Sequence, residues 1–273
     1  MNKPILIGAV IYEPKVAVIW ETIKEFFASE GCPIDYVFYS NYELQVRALV
    51  DRHIDIAWNS PLAWLDALRQ TGGRCRALAM RDTDRDRVSH LVVRAGGSIR
   101  TLAELRGKVV ATGALDSPQA TLIPLEVLRR AGLTASRDFE LVRFNVLVGK
   151  HGDHVGGERD ALGCLAEGRA DACAVLDLNW QSWTGDGTVD PARFALVATT
   201  PPFDHCNFTA LESFDEARAE RWTATLRRMR YDEPKHREMM DQEGLKAWLP
   251  GRTSGYELLS DAVREQRFFE SGA

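Results

Sequence analysis

Short apolar runs alternate with amphipathic stretches along most of this chain. Residues 5–11 form an apolar run of strand length, and residues 15–29 carry apolar side chains at helical spacing: Val16, Ile19, Ile23, Phe26 and Phe27. The same alternation predicts further strands at residues 34–39, 54–58, 76–80, 88–94, 108–112, 140–144, 171–175 and 194–198, with a mainly helical segment from residue 213. Repeated strand–helix units predict an α/β fold with largely parallel sheets.

The strand–helix units fall into two sets, which predicts two α/β lobes joined by two crossing strands. Residues 1–86 and 203–273 are expected to form lobe 1, with the helical tail packed on it, and residues 87–202 to form lobe 2. Open α/β sheets bind ligands beyond the carboxyl ends of their strands. A cleft between the lobes would gather those ends, so we expect a small-molecule site there.

Composition narrows the function classes. The chain has 273 residues, 27% of them charged, and a net charge of −5, so with no dense Lys/Arg block it is not expected to bind nucleic acid. No apolar run approaches the roughly 20 residues that span a bilayer, so direct membrane insertion is not expected. The N-terminus does not resemble a secretory leader, which predicts a cytoplasmic protein if the chain is complete and a periplasmic one if a leader was removed.

The five cysteines fit no zinc spacing. We interpret Cys164 and Cys173 as reduced, buried small hydrophobes. The spacing of His151 and His154 resembles a metal cluster, but the neighbouring glycines favour a flexible loop. We expect no metal and no cofactor.

The most informative segment is residues 113–121, where a predicted strand turns into a helix that begins with Pro118. Such a turn leaves free backbone N–H groups, and with the hydroxyls of Ser117 and Thr121 it predicts an anion site. The alternative is an ordinary helix N-terminus, with Ser117 as the N-cap and Pro118 as the first helical residue.

Polar and aromatic residues also follow the other predicted strands. Tyr12 and Tyr42 are candidate ligand contacts or rim aromatics of the core. Asn59 and Ser60 are candidate ligand contacts, although one of them is expected to cap the helix after Pro61. Asp177 is a candidate contact or the cap of its own helix.

His205 and Cys206 suggest a base and a nucleophile. Adjacent residues on an extended strand point to opposite faces, so we expect that they cannot act as a hydrogen-bonded pair. We therefore predict no catalytic residue.

Three segments carry a family resemblance: DIAWNSPLAW at residues 55–64, LAELRGK at residues 102–108 and ALGCLAEGRADACAV at residues 161–175. With them the chain resembles the phosphate, phosphite and phosphonate substrate-binding proteins of ABC transporters. The resemblance implies a type II periplasmic-binding-protein fold, with two mixed sheets and hinge closure over a small anionic ligand. It also implies the membrane component of a transporter as partner.

Residue by residue, the resemblance places Tyr42, Asn59 and Ser60 at the ligand from the first lobe. It implies that four residues of the turn hold the anionic head of the ligand: Ser117, Gln119, Ala120 and Thr121. It implies that three further residues contact the other end of the ligand: Asp177, Asp204 and His205.

Two departures bear on the identity of the ligand. Pro118, Gln119 and Ala120 interrupt the run of hydroxyl residues usual in the family. Arg159 stands where the family often has histidine, and arginine can bind an oxyanion through two hydrogen bonds. A phosphonate, a carboxylate, a sulfur oxyanion or another oxyanion all remain candidates. A cytoplasmic enzyme that uses His205 and Cys206, or a cytoplasmic ligand sensor, are the alternative functions, because fold alone does not fix function.

Overall fold

The structure, a computed structural model, describes residues 3–151 and 157–270. His154, one of the two histidines whose spacing resembles a metal cluster, lies outside these residues. The chain divides into two compact units: unit 1 comprises Met1–Arg85 and Asp204–Gly255, and unit 2 comprises Asp86–Phe203 and Tyr256–Ala273.

The strands and helices follow the predicted alternation. The strands are β1 (Ile5–Val10), β2 (Ile34–Tyr39), β3 (Ile56–Asn59), β4 (Cys75–Arg81), β5 (Ser89–Arg94), β6 (Val109–Thr112), β7 (Glu140–Arg143), β8 (Ala172–Leu176), β9 (Phe194–Thr199), β10 (Asn207–Leu211) and β11 (Trp248–Pro250). The helices are α1 (Lys15–Ser29), α2 (Tyr42–Val50), α3 (Pro61–Thr71), α4 (Ile123–Arg130), α5 (Glu158–Ala166), α6 (Asp177–Gly185), α7 (Glu216–Leu226), α8 (Pro234–Gln242) and α9 (Glu257–Glu265).

Unit 1 is built on a six-stranded mixed sheet in the order β11-β4-β10-β3-β1-β2. β1 pairs in parallel with β2 and β3, whereas β10 runs antiparallel to both β3 and β4. The apolar side of α1 packs on the sheet, where the rings of Phe27 and Trp222 stack at 5.7 Å and Phe208 meets Trp222 edge-on at 4.8 Å. Burying each of these side chains contributes about 2–3 kcal/mol to folding.

Unit 2 is built on a five-stranded mixed sheet in the order β7-β6-β8-β5-β9. Successive residues of β8 point to opposite faces: Ala172 and Ala174 belong to one hydrophobic cluster, and Cys173 and Val175 to another. α4 covers the first face, and α5 and α6 cover the second. Because both faces are covered, the carboxyl ends of the strands are the place in this unit where polar side chains converge.

The C-terminal residues belong to a different unit from the one predicted. The tail as a whole was expected on lobe 1, but Tyr256–Ala273 clusters with unit 2. α9 buries Leu259 and Ala262, Asp261 pairs with Arg130 of α4 at 2.6 Å, and Gln266 donates to the carbonyl of Leu122 at 2.8 Å. An amphipathic helix shows which of its faces is buried but not which sheet covers it, and this explains the error.

Candidate functional site

The turn after β6 is an ordinary helix N-terminus in its backbone hydrogen bonds. Ser117 Oγ accepts from the amide of Ala120 at 3.2 Å, and the carbonyl of Ser117 accepts from Thr121 at 3.2 Å and Leu122 at 3.0 Å. The amide of Ser117 donates to Ala114 at 3.0 Å. The predicted row of free amides is therefore wrong at these positions, because the N-cap serine already uses them.

Residues Pro118–Leu122 form a π-helical turn that leads directly into α4. Pro124 has no N–H and so cannot donate to the carbonyl of Ala120 four residues earlier. That carbonyl instead accepts from the amide of Gly113 at 3.3 Å. The proline thus helps to tie the turn back onto the end of β6.

Around this turn it is side-chain oxygens, rather than backbone amides, that lack a hydrogen-bond partner among the described residues. Thr112 at the end of β6 and Thr121 in the π turn are 0% and 1% exposed. Within the described part of the chain, neither hydroxyl oxygen has a hydrogen-bond partner. The large majority of buried side-chain polar atoms are hydrogen-bonded in native proteins, so two such hydroxyls near the end of β6 indicate a place for a polar ligand or ordered water.

Glu158 is the most unusual group beside the turn. It begins α5, is 0% exposed, and its Oε2 accepts from the amide of Leu176 at 2.8 Å and from Asn179 Nδ2 at 2.9 Å. Its side chain is also hydrogen-bonded to Gln119 of the π turn. Among residues 3–151 and 157–270, its Oε1 has no partner. Burial raises the pKa of Glu158 to about 7, against the opposing effect of the hydrogen bonds from Asn179 and Leu176.

Asp177 adds a second carboxylate, directly after the carboxyl end of β8. It is the first residue of α6, and its side chain does not cap the helix. Instead its Oδ2 lies 3.3 Å from the guanidinium of Arg87, and its Oδ1 has no hydrogen-bond partner among the described residues. Arg87 was not among the site residues predicted from the sequence.

Ser117, Gln119, Ala120, Thr121 and Asp177 thus lie together in unit 2, but Arg159 does not join them. Its side chain is exposed and interacts electrostatically with Asp186. Glu158, one residue earlier, has the inward position. Sequence reasoning missed Glu158 because an acidic residue in a first helical turn is commonplace.

The candidates of unit 1 mostly hold structure in place. Tyr42 is buried in a core cluster, and Tyr12 packs half-buried against another. Asn59 accepts from Gln45 at 2.8 Å and donates to Thr209 at 3.0 Å. Ser60 caps α3 by accepting from the amide of Ala63 at 3.1 Å, as the capping alternative predicted for one of the two residues.

Asp204 and His205 lie in a second polar group of unit 1. Asp204 is 1% exposed and pairs with Arg252. Cys206 Sγ lies 3.1 Å from His205 Nδ1, so the expectation that these neighbours cannot interact is wrong. It assumed an extended strand, whereas β10 begins only at Asn207.

The ligand-type atoms of Asp84, His205 and Cys206 lie within 4.8 Å of one another. His205 Nδ1 is also 3.5 Å from Asp84, so one ring nitrogen faces both the thiol and the carboxylate. A catalytic triad instead uses the two ring nitrogens for the two partners. Arg81 donates to both oxygens of Asp84 at 2.8 Å, so the carboxylate already has its cation.

No helix in the described ranges combines the length and apolar character that crossing a membrane requires.

Comparison with known proteins gives a family match over most of the chain. The family model described as "ABC transporter, phosphonate, periplasmic substrate-binding protein" matches residues 12–256. A 36-residue stretch is 53% identical to an uncharacterised protein of Haemophilus influenzae, and this match covers 13% of the chain and 51% of that protein. The chain therefore spans about half the length of that curated relative.

Solved structures show the same architecture. PhnD1 from Prochlorococcus marinus in complex with methylphosphonate has a TM-score of 0.73 at 18% identity, covering 97% of this chain and 98% of that one. XAC2383 from Xanthomonas citri bound to ATP has a TM-score of 0.74 at 17% identity, covering 97% and 98%. A binding protein component of an ABC phosphonate transporter from Pseudomonas aeruginosa has a TM-score of 0.63 at 12% identity, covering 99% and 87%. These likenesses confirm the predicted mixed α/β fold with two mixed sheets.

Proposed function

This chain belongs to the family of periplasmic phosphonate substrate-binding proteins of ABC transporters, and on that premise we propose that it captures a phosphonate or a related small oxyanion. Its partner in this role is the membrane component of an ABC transporter, to which it delivers the ligand. The single observation that carries the choice of site is the pair of partnerless buried hydroxyls, Thr112 and Thr121, beside the π turn of unit 2.

The groups around Thr112, Thr121 and the π turn suit an oxyanion. Each threonine hydroxyl can donate one hydrogen bond to a ligand oxygen. The guanidinium of Arg87 is the nearby cation, and the helix that starts after Ser117 contributes its positive end.

Isothermal titration calorimetry tests the proposal. Methylphosphonate, inorganic phosphite, methanesulfonate and acetate separate the phosphonate, sulfur and carboxylate alternatives. We expect measurable binding of methylphosphonate. If none of the four compounds binds, the proposed function is wrong.

Thr121→Val tests the site, because valine keeps the shape of threonine and removes only the hydroxyl. Loss of one hydrogen bond to a charged ligand costs about 1.5–3 kcal/mol, so we expect methylphosphonate affinity to fall about 10- to 150-fold. Thr134→Val is the matched control, since Thr134 is exposed in the same unit. Equal affinities in the two variants would place the site elsewhere.

A further inference from the structure

A buried carboxylate beside a site for an anion poses an electrostatic problem. Glu158 is 0% exposed and hydrogen-bonded to Gln119, which lies two residues after the N-cap Ser117 and two before Thr121. Two like charges brought together away from water repel strongly. The complex is therefore stable only if a proton lies between them or if the ligand itself brings a positive group.

The two oxygens of Glu158 have different surroundings. Oε2 already accepts from the amide of Leu176 at 2.8 Å and from Asn179 at 2.9 Å. In the part of the chain that the structure describes, Oε1 has no partner. One oxygen thus holds the side chain in place, and the other is the one available to a ligand.

Among residues 3–151 and 157–270, the charged and titratable neighbours of Glu158 do not supply a direct counter-charge. β8 contributes Cys173, whose thiol interacts electrostatically with Glu158, and α6 contributes Asp177, which disfavours a second negative charge. Arg87 pairs with Asp177 at 3.3 Å, and His90 of β5 interacts electrostatically with Asp177. β6 carries no titratable side chain.

We propose that Glu158 Oε1 and one oxygen of the bound oxyanion share a single proton, which makes Glu158 a specificity-determining residue of the site. This inference rests on the proposed function. The proton comes from the ligand when the ligand carries a P–OH group, and from solvent when the ligand has none. In either case the complex contains one O–H···O hydrogen bond between two groups that would otherwise repel.

The sharing has a consequence for ligand selection. A singly protonated phosphonate brings its own proton and binds ionised Glu158 directly. A sulfonate has no ionisable proton at neutral pH, so Glu158 must first take one up. The burial that raises the pKa of Glu158 to about 7 brings this uptake within reach of ordinary buffers.

Proton uptake on binding measures the sharing directly. Titrations are run with methanesulfonate in two buffers of different ionisation enthalpy, neither containing a sulfonate or phosphate group. We expect uptake of about one proton per ligand at about pH 8.5, where free Glu158 is ionised, and about none at about pH 5.5. Above the pKa of Glu158 the affinity should fall about tenfold for each pH unit.

Glu158→Gln provides the decisive comparison, because an amide N–H can donate to the ligand without a proton from solvent. We expect no proton uptake in this variant at either pH, and methanesulfonate affinity at about pH 8.5 at least tenfold higher than in the parent protein. Glu167→Gln, an exposed carboxylate just after the same helix, should behave like the parent. If Glu158→Gln does not fold, the proton uptake measured on the parent protein alone still decides whether Glu158 and the ligand share a proton.

The possible outcomes separate the two proposals. If the parent protein binds methanesulfonate, or methylphosphonate as its dianion, at about pH 8.5 without taking up a proton, the shared proton is refuted and the proposed function stands. If 2-aminoethylphosphonate binds far more tightly than methylphosphonate and with no proton uptake, an ammonium group faces Glu158 and the inference is likewise overturned. If neither methylphosphonate nor methanesulfonate binds, the proposed function fails and this inference falls with it.

Discussion

Asp84 organises the polar turn that follows β4. It is 1% exposed and accepts from the side chain of Arg81 at 2.8 Å and from the amides of Arg81 at 3.0 Å and Cys206 at 3.2 Å. Burial alone would raise the pKa of Asp84, but the charge and hydrogen bonds of Arg81 outweigh it and hold the pKa well below its usual range. Removing the charge of Asp84 would leave the largely buried guanidinium of Arg81 with Glu243, 3.2 Å away, as its remaining acidic partner.

We predict that Asp84→Asn lowers the free energy of unfolding by about 3 kcal/mol or more, measured by urea denaturation at neutral pH. A carboxylate with a depressed pKa stabilises the fold above its unfolded pKa of about 3.9 and loses that stabilisation below it. The destabilisation should therefore shrink as the pH falls below about 4. Asp232→Asn, which breaks an exposed ion pair with Arg230, should have little effect; equal losses in both variants would contradict the prediction.

Cys206 packs beside His205 and within electrostatic range of Arg81. We predict that Cys206→Ala keeps methylphosphonate affinity unchanged and lowers the free energy of unfolding by about 1 kcal/mol, because a buried group is removed. Calorimetric titration and urea denaturation give the two quantities. Loss of a turnover activity with intact binding would instead favour the enzyme alternative.

Residue roles were the part of the site that the sequence predicted least well. Ser117 was placed correctly in the turn between β6 and the next helix, but whether its hydroxyl caps the helix or binds a ligand depends on side-chain rotation that no spacing encodes. Glu158 shows the converse: its position in a first helical turn looks ordinary, and only burial among Gln119, Leu176 and Asn179 reveals an unmet oxygen.

At the scale of elements, α9 is expected to stabilise unit 2. Leu259 is 1% exposed in this helix. We predict that Leu259→Ala lowers the free energy of unfolding by about 2–5 kcal/mol. By hydrogen exchange, amide protection should fall more in β5, β6 and β8 than in the strands of unit 1.

Leu44→Ala is the control, since Leu44 is 45% exposed on a helix of unit 1. It should leave both stability and exchange close to those of the parent protein. Faster exchange confined to unit 1 in Leu259→Ala would show that α9 supports the other unit.

Elements were predicted well where the apolar pattern is dense. Apolar runs as short as those of β1 and β8 favour a strand over a helix by their length, and Gly and Pro mark where helices start or stop. β11 was missed because three residues are too few for a periodic pattern. Residues 204–206 were misread as extended strand because they directly precede β10, which begins at Asn207.

At the scale of the whole molecule, stability should depend on pH through Glu158. An unfolded glutamate has a pKa of about 4.3, whereas in the folded protein the value is about 7. The folded state then binds the proton more tightly, so its stability falls by about 4 kcal/mol as the pH rises across that window. Burial also raises the pKa of Asp116, so this residue changes the stability in the same direction.

Thermal unfolding across this pH range, without ligand, checks the prediction. The midpoint for the parent protein and for Glu167→Gln should decline between about pH 4.5 and pH 7, while Glu158→Gln should give a flatter curve. Curves of the same slope for all three proteins would mean that Glu158 titrates normally.

The two-unit organisation was predicted from the repetition of strand–helix sets, and the family resemblance supplied the type of fold. Allocation of the C-terminal residues required knowledge of packing partners, which a single sequence does not contain. The same limit applies to the ligand, because hydroxyls, a carboxylate and an arginine suit several oxyanions.

The position of β10 has a consequence for how the protein is made. β10 pairs with both β3 and β4 in the middle of the sheet of unit 1, yet the ribosome synthesises it more than a hundred residues after β4. Until then the edges of β3 and β4 that face β10 are unpaired in the nascent chain, and unpaired edges invite pairing with other chains. Newly made chains that stall near residue 85 should therefore aggregate or recruit chaperones, and those that reach residue 255 should not.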